Sequence, residues 1–129
     1  MDGVPPWDPA FEGESAAYTL FRRGMRFLEE QHPAQAAMLL AGALRLEPNK
    51  NSIREGLAQA EFALGRYQHA VEHFGAIVAT APDNDYARYC LGRCLLALRR
   101  GEEAKAHLRL ACALRPQSAL YRRALGEVR

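Results

Sequence analysis

The chain has 129 residues, 49% of them apolar and 25% charged, with a formal net charge of +2. That length suits one domain and excludes two of ordinary size, and the interleaving of charged with apolar residues excludes wholesale disorder. The longest apolar run, Ala36 to Leu44, covers nine residues, far short of the roughly 20 that a membrane span needs.

Residues 1–15 hold Pro5, Pro6 and Pro9, the acids Asp2, Asp8, Glu12 and Glu14, and the aromatics Trp7 and Phe11. Such a segment reads as a disordered tail, with docking of Trp7 and Phe11 on the residues that follow as the alternative. No Arg or Lys precedes Arg22. The start therefore lacks the basic-then-apolar pattern of a secretory signal, and a cytoplasmic protein is expected.

From residue 16 the spacing predicts helices over 16–30, 34–47, 52–64, 68–80, 85–99 and 102–115, with another opening at 118. Prolines punctuate them. Pro48, Pro82 and Pro116 are 34 residues apart, and each falls just past the second helix of a pair. There the missing N–H and the ring stop the next turn. Asp83, Asn84 and Ser118 are caps for the helices that follow. The same 34-residue interval relates Ala36, Ala70 and Ala104; Leu40, Phe74 and Leu108; and Gly24, Ala58 and Gly92. Glycine in mid-helix costs about 1 kcal/mol in propensity, so Gly24 and Gly92 imply a close approach between helices. A period of this length is the mark of a repeat array.

These columns resemble the tetratricopeptide repeat. The first copy matches the family pattern with Gly24, Phe27, Ala36, Leu40, Ala43 and Pro48. The third matches with Gly92, Leu95, Ala104, Leu108, Ala111 and Pro116. The second matches with Ala58, Gly65, Tyr67, Ala70, Phe74 and Pro82, and departs with Glu61 at the aromatic position and Ile77 at the second small one. Arg23 stands where the family has Leu. These departures are expected to loosen the first interface. The resemblance covers residues 17–129. It implies an all-α fold of antiparallel helix-turn-helix repeats forming a right-handed solenoid. Its repeats would span about 17–50, 51–84 and 85–118, with a capping helix over 118–129 that keeps the open end soluble.

The resemblance also implies a concave wall made by the first helix of each repeat, and the apolar pattern agrees. Helix 16–30 carries a core set, Leu20, Gly24 and Phe27, and a second set, Tyr18, Phe21, Met25 and Leu28. Together they span half the circumference, more than the roughly 100° that one-sided packing needs. The same columns hold Ser52, Glu55, Gln59 and Phe62 in the second repeat and Tyr86, Tyr89, Arg93 and Leu96 in the third. The candidate groove residues are therefore Tyr18, Phe21, Met25, Glu55, Gln59, Phe62, Tyr86, Tyr89 and Arg93. Aromatic and methionine side chains suit recognition of a peptide or helix of a partner protein. Some family members hold acidic chaperone tails through Lys, Asn and Arg. The corresponding columns here hold Phe21, Met25, Gly56, Tyr86 and Cys90, so such a tail is disfavoured. The analogy is rather to small bacterial repeat chaperones that shield an apolar segment.

Catalytic and metal chemistry find little support. The odd set Cys90, Cys94 and Cys112 is no disulfide framework and reads as helical core. His69 and His73 have the spacing of paired metal ligands but no third ligand nearby in sequence. His73 shares a column with His107 that is expected to face solvent. Glu29–Glu30 and Glu102–Glu103 sit at helix ends, where the second pair suits the helix dipole. No catalytic residue, metal or cofactor is expected. Residues 1–84 hold 7 basic and 11 acidic side chains, a balance of −4, and residues 85–129 hold 10 and 4, a balance of +6. The pairs Arg99–Arg100 and Arg122–Arg123 lie at a turn and on the cap and form no nucleic-acid reading motif. The leading expectation is thus a protein-binding scaffold or chaperone-like adaptor. The alternative is a self-assembling module that joins acidic to basic ends.

Overall fold

The structure, a computed structural model, describes residues 15–128; the reading of the segment before Ser15 as a tail or a docked ligand lies outside the described residues. Among the described residues seven helices follow one another: α1 (Ala16–Glu29), α2 (Pro33–Leu46), α3 (Asn51–Ala63), α4 (Tyr67–Thr80), α5 (Asp85–Ala97), α6 (Gly101–Leu114) and α7 (Ala119–Gly126). Each packs on the next, and α1 also touches α3. This is the predicted right-handed solenoid of three helix pairs and a capping helix. No described helix is long and apolar enough to cross a membrane.

The helix starts follow from local chemistry. Ser15, Asn84 and Ser118 accept the backbone N–H of Tyr18, Ala87 and Tyr121 at 3.0, 3.0 and 3.2 Å, each satisfying one orphan donor of a first turn. Of the two expected caps before α5, Asn84 serves and Asp83 does not. The second helices end at Glu47, Ala81 and Arg115. Each has left the helical region, with ψ between 74 and 78°, as expected of a residue that precedes proline, for which the α region is disfavoured.

Inside each pair the helices meet through the small columns. A Cβ on Gly24 would lie 2.7 Å from Leu40 Cγ, and one on Gly92 would lie 2.6 Å from Leu108 Cγ. Ala58 fills the same column in the second pair and is fully buried. One buried cluster surrounds Leu40 with Ala36, Leu57 and Ala60. A larger one runs from Ala58 through Phe74, Ile77, Leu95 and Leu108 to Tyr121 on α7.

The departures in the second pair do not loosen this core. Ile77 is 0% exposed, as are its column mates Ala43 and Ala111. Glu61 is buried, and it accepts from Arg66 at 3.2 Å across the α3–α4 turn. Arg23 is explained by position. Leu57 and Leu91 in its column are buried, whereas Arg23 is exposed on α1, which has no pair ahead of it among the described residues.

The three turns inside the pairs share a left-handed residue at one column: Gln31 (φ 67°), Gly65 (φ 77°) and Arg99 (φ 62°). The next N–H returns to the helix, with His32 donating to Phe27, Arg66 to Glu61 and Arg100 to Leu95 at 2.8, 2.8 and 2.9 Å. This is a Schellman end. Only Gly65 adopts that φ without steric cost; for other residues the left-handed region costs roughly 1–2 kcal/mol. Gln31→Gly and Arg99→Gly are each expected to raise unfolding free energy by about 0.5–1 kcal/mol, after the entropy of glycine in the unfolded chain is deducted. Unchanged denaturant midpoints would show that these turns carry no strain.

A second device recurs with the repeat. Arg54, Arg88 and Arg122, 34 residues apart, donate to the carbonyls of Pro48, Pro82 and Pro116, six residues back. Arg54 also reaches His73 Nδ1 at 3.3 Å and Arg88 reaches His107 Nδ1 at 3.1 Å. The histidine column is therefore half-buried and hydrogen-bonded, which corrects the expected solvent-facing role. Burial first, then the neighbouring guanidinium, holds both imidazoles below their ordinary pKa of 6.5. The folded chain thus binds fewer protons than the unfolded chain just below that pH. Stability is retained above about pH 6.5 and falls as pH drops through it. His73→Gln with His107→Gln is expected to flatten the decline in denaturation midpoint between about pH 7.5 and 5.5. Parallel profiles for variant and wild type would show that the histidines do not titrate with folding.

Candidate functional site

The facing sides of α3 and α5 enclose an open pocket of about 190 Å³, lined by Gln59, Phe62, Phe74, Tyr86, Tyr89, Cys90 and Arg93. Helical spacing explains the set. Gln59 and Phe62 are three apart on α3, and Tyr86, Tyr89, Cys90 and Arg93 recur at three and four on α5, so each group shares a helix face. Phe74 contributes the floor from α4 and is 1% exposed. Tyr86, 38% exposed, forms the rim, and Gln59 Nε2 donates to its hydroxyl at 3.4 Å.

The guanidinium of Arg93 lies 5.9 Å from the centre of the Phe62 ring and 5.8 Å from that of Tyr89. It donates to the Tyr89 hydroxyl at 2.8 Å. Phe62 in turn meets the ring of Tyr67 edge-on at 5.2 Å. These contacts tie the side chains of the pocket wall to one another.

Tyr89, one of four aromatics expected on one wall and not all required by packing, lines the pocket but is only 6% exposed. Its ring stacks on Tyr121 of the capping helix at 5.0 Å. The Tyr121 hydroxyl donates to Asp85 Oδ2 at 2.6 Å, and Arg115 pairs with the same oxygen at 2.9 Å. The Tyr121 hydrogen bond, then Arg115, holds the Asp85 carboxyl below the usual range. Tyr89 is therefore part of the joint that docks α7, and it meets the pocket only as buried wall. Tyr121 was not singled out in the sequence; its column mates at 34-residue spacing, Ile53 and Ala87, are apolar, which was its available signal, and both are buried.

Seven of the nine expected groove residues fall into two clefts, and Met25 and Glu55 line neither. Tyr18 and Phe21 line a separate one of about 290 Å³ with Ser15, Glu47, Lys50, Ser52 and Ile53. Tyr18 is exposed there, with the Arg22 guanidinium 5.6 Å from the centre of its ring. Met25 is half-buried, its sulfur 2.7 Å from where a Cβ on Gly56 would stand. Glu55 is half-buried on α3, with its carboxyl pushed upward by desolvation.

Burial pushes the thiols of Cys90 and Cys94 up to about 12, so both stay protonated at neutral pH and are poor nucleophiles. Among the described residues no group of three His, Cys, Asp or Glu side chains is placed to hold a metal ion. The basic C-terminal side chains are partly engaged within the chain. Arg100 makes a two-point bond to Glu103 at 2.7 and 2.9 Å, and Arg115 and Arg122 are held as described above.

Two tetratricopeptide-repeat sequence models match the chain, over residues 21–85 and 61–128. A comparison with curated protein sequences gives no match. Among solved structures, the first repeat domain of Spaghetti (RPAP3), bound to the HSP90 peptide SRMEEVD, is 20% identical with a TM-score of 0.83, covering 88% of this chain and 90% of its own. The OM64 repeat domain of Arabidopsis is 22% identical with a TM-score of 0.84, covering 88% and 94%. MamA from Desulfovibrio magneticus RS-1 is 23% identical with a TM-score of 0.82, covering 85% and 62%.

Proposed function

Because the chain belongs to the tetratricopeptide-repeat family, we propose that it is a protein-interaction scaffold, a chaperone-like adaptor that holds an extended peptide or a helix of a partner protein against α3 and α5. The observation that carries this reading is the pocket between Phe62 and Tyr86: an aromatic wall, a buried apolar floor at Phe74, and an open mouth. Such pockets receive the anchor side chains that dominate protein interfaces. Tyr18 and Phe21, in the cleft beside α1, extend the surface available to a longer segment.

The RPAP3 domain was solved with an acidic HSP90 peptide. This chain offers such a peptide little, since Phe21, Met25, Gly56, Tyr86 and Cys90 supply neither a cation nor an amide. End-to-end assembly through opposite charges has less support than the pocket, because Arg100 and Arg115 are already paired within the chain.

Site-specific photo-crosslinking tests the reading. A photoreactive phenylalanine analogue at Gln59 is expected to capture the native partner. The same analogue at Met38, 74% exposed on α2, is expected not to. Equal capture from both positions, or capture from Met38 alone, would place the interaction outside the pocket.

A further inference from the structure

Glu55 lies one turn before Gln59 on α3, just outside the pocket lining, and its charge is felt by both Tyr86 and Cys90. It is half-buried, and no cationic side chain among the described residues pairs with it. A carboxylate partly withdrawn from water without a partner is unfavourable, and the arrival of a cation relieves that cost. Arg93, exposed in the pocket lining, lies across Phe62 and Tyr89 and donates to the Tyr89 hydroxyl, and it makes no ion pair with Glu55. Residues 1–14 contain acids and no Lys or Arg, so their side chains supply no counter-charge.

We propose that the groove selects a partner segment in which a Lys or Arg stands beside a large apolar side chain. Glu55 receives the cation, with the exposed face of Tyr86 beside it, and the pocket at Phe62 and Tyr86 receives the apolar group. This rests on the groove reading above. Carboxylate and aromatic face act together, since a cation binds both. The inference also gives the half-buried carboxylate a role that packing does not require. Glu55→Gln is expected to fold with a melting temperature at or above that of wild type. Desolvation raises the Glu55 carboxyl, so acidification should neutralise it and weaken binding of basic peptides before ordinary exposed carboxylates titrate.

The test uses the full chain and a random peptide library displayed on phage. Peptides selected by wild type are expected to be enriched in Lys or Arg next to an aromatic or aliphatic residue, and to lose binding to Tyr86→Ala. In a double-mutant cycle, changing the peptide Lys to Gln should weaken binding to wild type about tenfold, as expected for roughly 1.4 kcal/mol of pairing. The same change should leave binding to Glu55→Gln nearly unaltered. Peptides that depend on Tyr86 but show no basic preference, or whose Lys→Gln change costs the same on both proteins, would overturn this proposal and leave the groove reading standing. If no selected peptide depends on Tyr86, the groove reading fails and this proposal with it.

Discussion

Phe74→Ala is expected to destabilise the protein by about 3–5 kcal/mol, the largest effect of any single change considered. Phe74 is 1% exposed and belongs to the cluster shared by the second and third pairs and the capping helix. Removing its ring takes away the transfer free energy of a phenyl group and leaves a hole that α4 and α5 cannot both close. The side chain is also the floor of the pocket, so partial collapse would deform the site as well. Equilibrium denaturation measures the loss. A change below about 1 kcal/mol would mean that the site repacks freely, contrary to the density of helical cores. Leu40 and Leu108, in the same column and 0% exposed, should respond in the same direction.

Tyr86→Ala is expected to weaken partner binding by about 2 kcal/mol or more, roughly 30-fold, while lowering stability by less than about 1 kcal/mol. The contrast follows from exposure. Tyr86 is 38% exposed at the rim, and its ring meets that of Tyr89 at 6.1 Å without being enclosed. Tyr89 is a poor test residue for the same reason in reverse, because its stacking on Tyr121 makes it part of the α7 joint. Unaltered affinity in a folded Tyr86→Ala protein would remove this side chain from the interface.

The sequence made the fold legible because its constraints recur. Pro48, Pro82 and Pro116 stop helices, and the small residues Gly24, Ala58 and Gly92 let the paired helix approach; each function restricts the residue, proline in one column and a small side chain in the other, so the restriction repeats every 34 positions. Arg54, Arg88 and Arg122 recur just as regularly, yet their acceptor is a backbone carbonyl six residues back, and carbonyls leave no mark in a sequence. The left-handed Gln31 and Arg99 were hidden because neither residue favours that conformation. A helical wheel puts Tyr89 on one face with Tyr86 and Arg93, but it carries no information on what covers that face. The stack on Tyr121 arises between α5 and α7, and only their relative placement shows it.

The central claim is that a partner lies against α3 and α5. The most direct test is amide-resolved NMR of the full chain during titration with that partner or with a selected peptide. The predicted result is a set of shifts centred on Gln59, Phe62, Tyr86, Cys90 and Arg93, extending to Tyr18 and Phe21 with longer ligands, while the exposed positions Met38 and Leu110 stay still. Shifts centred on α2 or α6, with the pocket resonances unchanged at saturation, would contradict it.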